Sequence, residues 1–311
     1  MVTAPRYDEL LPNSSDPKKE AMRAKLITIL ESRAEILPAA DSPRGRLWNL
    51  VNSPDASAAE CAEIIQLDAG LAARVLRVAN SGAYGGSSEN ITDAVVRLGL
   101  KFIREQVYND AVFKEFSNWK LPREWDTFWL RNILVARVTE RICACYGPTN
   151  GTEYLAGLLH DMSWIFLAAY FPHEFTELFT CGLPLADAEK SFLAYDHSQV
   201  GAAIAARSLL PERAINAIAM HHLPVAADTK KVGPPEQNAY FLSVVLQLSD
   251  SIADACKLDM FGRPGETFDS LRQGPAMQWL NRLRGTPDLM RIADEELEKS
   301  KQIFAVFFAK A

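Results

Sequence analysis

Apolar residues recur at three- and four-residue spacing along most of the chain, and strict apolar–polar alternation is scarce, so the pattern predicts an all-α fold. The first 15 or so residues are polar and proline-containing and read as a loose tail. "DPKKEAMRAKLITILESRAEIL" then opens a helix with Asp16 as N-cap and Pro17 at its first position. Three short helices follow in "SPRGRLWNLVNS", "SAAECAEIIQLD" and "AGLAARVLRVANSG". In the last of them Leu71, Val75 and Val78, with Leu76 and Ala79, form the apolar face, and Asn80-Ser81-Gly82 ends it. "NITDAVVRLG" starts a further helix, with Asn90 as N-cap and Asp93 in the place of the usual capping-box glutamate, and "LKFIREQVYNDAVFKEF" is a separate, longer one.

Proline and polar residues in "SNWKLPRE", residues 117–124, mark a subdomain boundary. Beyond it, "EWDTFWLRNILVARVTERICACYG" and "EYLAGLLHDMSWIFLAAYF" predict two long antiparallel helices, and shorter ones start near 174, 184, 197 and 211. Residues 223–237, "LPVAADTKKVGPPEQ", read as an exposed loop before the buried helix "NAYFLSVVLQLSDSIADACK". "DMFGRPGETFD" leads into a C-terminal helix pair. In the final helix Leu289, Ile292, Ala293, Leu297, Ile303, Phe304, Phe307 and Phe308 form a stripe, read as docked on the core, with a homodimer contact as the other reading.

Composition narrows the function. With 33 basic against 39 acidic residues the net charge is -6, which gives no global attraction to nucleic acid or anionic membrane. The five cysteines form no CxxC pair and no secreted-type framework, and the opening residues lack a signal-peptide pattern, so the expected location is a reducing cytoplasm. "YLAGLLHDMSWIFLAAYF" is nearly long enough to cross a bilayer, but His160 and Asp161 at its middle make it a buried core helix. Cys143 and Cys145, two apart on a helix, point to different faces and cannot act as a close metal pair.

Four of the five histidines fall in one ordered series with acidic residues. His160-Asp161 comes first, then His197, then His221-His222, then Asp250, each in or beside a predicted helix. Imidazole and carboxylate are the ligands that hold Fe, Mn or Zn in a bundle core. His173, in "YFPHEF", stands apart as a surface or cap residue.

"GLLHDMSWIFL", "DHSQVGAAIAARSLLPERAINAIAMHH" and "LQLSD" resemble the HD superfamily of metal-dependent phosphohydrolases. The upstream "SPDASAAECAEIIQLDAGLAARVLRVANSGAYGG" and "ITDAVVRLGLKFIREQV" resemble the HDOD family, the HD-related output domain of bacterial signalling proteins. The resemblance covers about residues 35–255. With the polar opening and the C-terminal helix pattern, the expected division is a polar tail at 1–20, an N-terminal helical subdomain at 21–118 packed on an HD-like bundle at 119–257, and a C-terminal helical extension at 258–311. Carried across by position, His160, Asp161, His197, His221, His222 and Asp250 match metal positions.

The remaining positions depart from the catalytic pattern. The first histidine ligand of catalytic HD proteins falls on Arg131, whose guanidinium stays protonated and offers no acceptor. The glutamate one turn earlier in HD-GYP phosphodiesterases falls on Thr127, the lysine after the HD aspartate falls on Trp164, and "HHLPVAADTKK" lacks the glycine-tyrosine-proline signature. If Arg131 faces the cavity, guanidinium pairing is expected to satisfy Asp161 and Asp250 in place of a cation. The six positions then form either a hydrogen-bonded polar core or a site for one divalent ion.

Trp125, Phe128, Trp129 and Trp164 either line helix interfaces or, for Trp164, fill the place where a substrate phosphate would approach. Both readings expect a closed site. "AAECAEIIQLDAGLAARVLRVANS" can also be read as a helix-turn-helix, with Arg74, Arg77, Arg97, Lys101 and Arg104 as a basic face, although its second helix is mainly apolar. "ANSGAYGG" reads as a glycine-rich turn or a ligand loop. The expected function is non-catalytic signal output toward a protein partner or small ligand, without membrane or nucleic acid and without a bound cofactor. The alternatives are a metal-dependent phosphohydrolase with one Fe, Mn or Zn ion, acting on a nucleotide or other phosphoester, and a nucleic-acid-binding regulator.

Overall fold

The amphipathic stripes become helices of 6 to 27 residues, and among the described residues every regular element is an α-helix. The computed structural model describes residues 10–33, 42–81, 84, 88–117, 125–208, 210–225, 238–259, 266–283 and 287–308. The chain divides into two compact units, residues 1–35 with 119–293 and residues 36–118 with 294–311.

The second unit contains α2 (Pro43–Val51), α3 (Ala58–Ile65), α4 (Ala69–Ala79) and α5 (Ile91–Ser117). Side-chain caps set their starts: Ser42 accepts from Gly45 N at 3.0 Å, Asp68 from Leu71 N at 3.0 Å and Asn90 from Asp93 N at 2.9 Å. The two helices expected around Gly99 run on as one element interrupted at that glycine, whose φ of 80° is open to a residue without Cβ. Leu71, Val75, Val78 and Ala79 are buried, and α4 packs on α5, so the apolar face of α4 serves the core. Arg74 is paired with Asp110, and Arg44 bridges Asp68 and Asp110 at 2.6 Å each, so the first arginine of the supposed basic face is neutralised inside the unit. Within "ANSGAYGG", Gly82, Ala83, Gly85 and Gly86 lie outside the described residues, as do the boundary residues 118–124.

The first unit contains α1 (Pro17–Arg33), α6 (Asp126–Cys143), α7 (Thr152–Leu159), α8 (Ser163–Tyr170), α9 (Pro172–Thr180), α10 (Leu185–Phe192), α11 (His197–Arg207), α12 (Glu212–Met220), α13 (Ala239–Ala255), α14 (Phe268–Gln273) and α15 (Pro275–Leu283). Helix α6 lies against α7 and α13, α12 against α7, α11 and α13, and α1 against α11. Gly157 sets the tightest of these approaches, because a Cβ there would stand 2.5 Å from the Ala136 Cα. Most of the loop expected at 223–237 lies outside the described residues.

The last helix, α16 (Leu289–Phe308), buries Leu289, Ile292, Ala293 and Ile303, so that much of its stripe is covered within the chain; the side chains of Phe307 and Phe308 lie outside the described residues. No helix among the described residues is long and apolar enough to cross a membrane.

Candidate metal centre

The single helix expected over residues 153–171 is broken at the HD pair. α7 ends at Leu159 and α8 begins at Ser163, with Met162 N bonded to Leu159 O at 3.2 Å and Trp164 N to Asp161 O at 3.0 Å. These tightened i−3 bonds turn the chain so that His160 and Asp161, adjacent in sequence, are both buried. His160 Nδ1–H donates to Gly157 O at 2.8 Å, which leaves Nε2 3.0 Å from Asp250 Oδ1 and 3.4 Å from Asp161 Oδ2.

Two further helix ends bring the other histidines to the same place. His197 is the first residue of α11, behind a capping box in which Asp196 Oδ1 accepts from Gln199 N at 2.9 Å. Its backbone N–H and its Nδ1–H both donate to Glu189 Oε1, at 2.9 and 2.6 Å, so its Nε2 is free to face the cluster. His221 closes α12 and donates Nδ1–H to Ile218 O at 2.6 Å. Its buried Nε2 has no hydrogen-bond partner and lies 3.7 Å from Asp161 Oδ1, which is likewise buried without one. His197 Nε2 is 3.5 Å from the same oxygen, and the exposed His222 brings its Nε2 to 2.7 Å from His197 Nε2. Two ring nitrogens that close need a proton or a cation between them.

Arg131 is buried and forks across one side of the site. Its Nη2 donates to Asp250 Oδ1 at 2.5 Å and its Nη1 to Asp254 Oδ1 at 2.6 Å, with further bonds to the Asp250 and Leu258 carbonyls at 3.2 and 3.3 Å. The expected partners are therefore corrected in part. Asp250 is paired, but the second carboxylate is Asp254, one turn further along α13, and among the described residues the charged partners of Asp161 within 4 Å are the imidazoles of His160, His197 and His221.

Titration directions follow from this layout. Burial would lower the pKa of Arg131, but Asp250, Asp254 and Asp161 raise it overall. Burial would raise that of Asp250, and Arg131 and His160 hold it well below the carboxylate range. Asp161 is likewise held down against burial, by His160, His197 and His221. Burial would lower His160, but Asp161 and Asp250 raise it; His197 is raised against burial mainly by Glu189. Burial lowers His221, which favours the neutral imidazole that a metal ligand requires.

The site thus splits in two. Asp161, His197, His221 and His222 each offer a donor atom within 4.8 Å of the others. Three imidazoles and one carboxylate are a donor set for a divalent transition metal, and the second nitrogens of His197 and His221 are already fixed by Glu189 and Ile218 O. The orphaned Asp161 Oδ1 and His221 Nε2 also fit a cation there. The neighbouring trio His160, Asp161 and Asp250 is also close enough to ligate, but there the Arg131 guanidinium already bonds Asp250.

A cavity of about 1370 Å³ reaches His221, His222, Asp250 and Thr127, so the expectation of a closed site is not met. Trp164 does not close it. The indole is fully buried and stacks on the His197 ring, with centroids 4.4 Å apart and planes 26° from parallel, which fixes that ring from behind. Trp125 lines the cavity, whereas Phe128 and Trp129 are core residues. His173 is exposed in the first turn of α9, Cys143 is buried and Cys145 exposed, as their spacing implied. Sequence reasoning missed Glu189 and Asp254.

These features define an all-helical protein with an HD-type histidine–aspartate centre. The HDOD domain model matches residues 37–224, more than half of the chain, and the chain belongs to that family. The structure is similar to that of an HDOD domain protein of unknown function from Geobacter sulfurreducens, with a TM-score of 0.70 and 26% identity over 93% of this chain and 98% of that one. It shares its fold with a provisionally named phosphohydrolase from Shewanella amazonensis SB2B, with a TM-score of 0.65 and 22% identity over 91% and 97% of the two chains. An uncharacterized protein of Treponema pallidum (strain Nichols) is 23% identical over 221 residues, 68% of this chain; the match spans only 43% of that relative's length.

Proposed function

We propose that this chain is a non-catalytic signal-output protein built on a degenerate HD site. The observation that carries the reading is the Arg131 guanidinium between Asp250 and Asp254, a permanent organic cation where the resemblance places a metal ligand. Asp161, His197, His221 and His222 would hold one divalent ion, Fe, Mn or Zn. Such an ion would supply Lewis acidity toward a ligand in the cavity. The chain's own residues hold the site in shape: Glu189 and Trp164 fix His197, and Arg131 ties α6 to α13. The output would go to a protein partner or small ligand in the cytoplasm, a setting that the five free cysteines support.

The second reading is a phosphohydrolase working through His160, Asp161, His197, His221 and Asp250. The observation in its favour is the cavity that reaches the histidine cluster. A hydrolysis screen over phosphodiesters and nucleotides with added Mn or Fe separates the two. The output reading expects no turnover; turnover abolished by Asp161→Ala overturns it.

A further inference from the structure

The four donors of the histidine cluster are not held alike. His197 is fixed from two sides, by Glu189 Oε1 at 2.6 Å from its Nδ1 and by the Trp164 indole stacked 4.4 Å away. His221 is fixed by Ile218 O at 2.6 Å, and Asp161 is buried in the turn between α7 and α8. His222 is exposed, and among the described residues the one hydrogen bond of its ring is the 2.7 Å contact of its Nε2 with His197 Nε2. A group that bonds the second nitrogen of a ligating imidazole is what holds the ring in place. Among the described residues His222 has none.

Spacing separates the same residue from the other three. Donor atoms around a tetrahedral ion with bonds of about 2.0–2.1 Å stand about 3.3 Å apart. Asp161 Oδ1 lies 3.5 Å from His197 Nε2 and 3.7 Å from His221 Nε2, close to that spacing. His197 Nε2 and His222 Nε2, at 2.7 Å, are too near each other for it. For both to ligate, one ring has to withdraw, and His197 is pinned while His222 is not. Access agrees. His221 and His222 line the cavity, whereas Asp161 and His197, both buried, do not. The Nε2 of His221 is itself buried, so the ring that an entering molecule meets is that of His222.

We propose that Asp161, His197 and His221 are the permanent donors of this site and His222 the exchangeable one, giving way to a small molecule from the cavity that carries an imidazole or anionic donor atom. The proposal rests on the one-ion reading of the cluster and names the ligand class that an output role would sense. Such a molecule favours the state with His222 withdrawn, and a preference between two states is what an output protein passes on.

The test uses the full chain loaded with Co(II), whose visible absorption reports the donors around it, with imidazole and azide as probes. His222→Ala, at an exposed position, is expected to lower Co(II) affinity by no more than roughly tenfold. Asp161→Asn, which keeps the side-chain shape, is expected to lower it roughly a hundredfold or more. Azide is expected to bind the His222→Ala protein roughly tenfold more tightly than wild type, because the competing ring is gone. Imidazole is expected to return the His222→Ala spectrum to that of wild type. Loss of Co(II) from His222→Ala as severe as from Asp161→Asn overturns the proposal. So does equal azide affinity in variant and wild type, and so does failure of the wild type to take up Co(II). The output reading does not need an occupied site and survives all three results. It falls instead to phosphodiester turnover by the same preparation that Asp161→Ala abolishes, and the absorption results then decide on His222 independently.

Discussion

Arg131 and Asp250 share a buried hydrogen bond of 2.5 Å, and the same carboxylate oxygen lies 3.0 Å from His160 Nε2. One aspartate thus joins a fixed guanidinium to the HD histidine. Removing the guanidinium would leave Asp250 and Asp254 as buried carboxylates short of a partner. Arg131→Met is therefore expected to destabilise the protein by about 3–5 kcal/mol, read by chemical denaturation. A loss below about 1 kcal/mol would show that the carboxylates find another partner or water.

Glu189 holds His197 through two bonds to one oxygen, at 2.9 and 2.6 Å. Glu189→Gln keeps the shape but replaces the anion, and it is expected to lower affinity for added Zn or Mn by roughly 10–100-fold in a chelator competition. Unchanged affinity would mean that His197 is not a ligand.

Gly157 permits the contact of α7 with α6, since a Cβ would stand 2.5 Å from the Ala136 Cα. Gly157→Ala is expected to cost about 1–3 kcal/mol, visible as a lower denaturation midpoint. Because His160 bonds Gly157 O, the same change is expected to weaken metal binding.

Cys61 is fully covered, and burial, with Glu60 nearby, pushes its thiol from 9.0 up to about 11. A raised folded pKa contributes stability that is fully present below the unfolded value and is lost as pH rises through the folded one. Stability should therefore fall between pH 9 and about 11. Denaturation midpoints at the two ends of that window check this, and Cys61→Ala should flatten the slope; a slope equal in wild type and variant would contradict it.

The helical class, the caps at Asp16 and Asn90 and the histidine series were legible because each is a local pattern of spacing or residue type. The break at His160 was not, because the apolar run continues through it and the turn is set by tertiary placement of two polar side chains. Asp254 carried a signal, one helical turn from Asp250, that could have named the second partner of Arg131. Glu189 gave none: it lies on the helix before His197 and meets it only through the fold of the intervening turn. Trp164, at the position where the resemblance puts a lysine, reads from sequence as either an interface or a cavity residue, and aromatic packing places the indole on the back of His197.

Arg131→His would restore an imidazole beside Asp250 and is expected to add a second bound ion where the wild type holds at most one. Unchanged metal content in that variant would count against the assignment of Arg131 to a ligand position.

The most direct test of the central claim is metal stoichiometry combined with anomalous diffraction on the wild-type protein loaded with Mn or Zn. One ion at most is expected, bound by Asp161, His197, His221 and His222, with Arg131 still on Asp250 and Asp254. Two fully occupied ions, with the guanidinium turned away from Asp250, would contradict it.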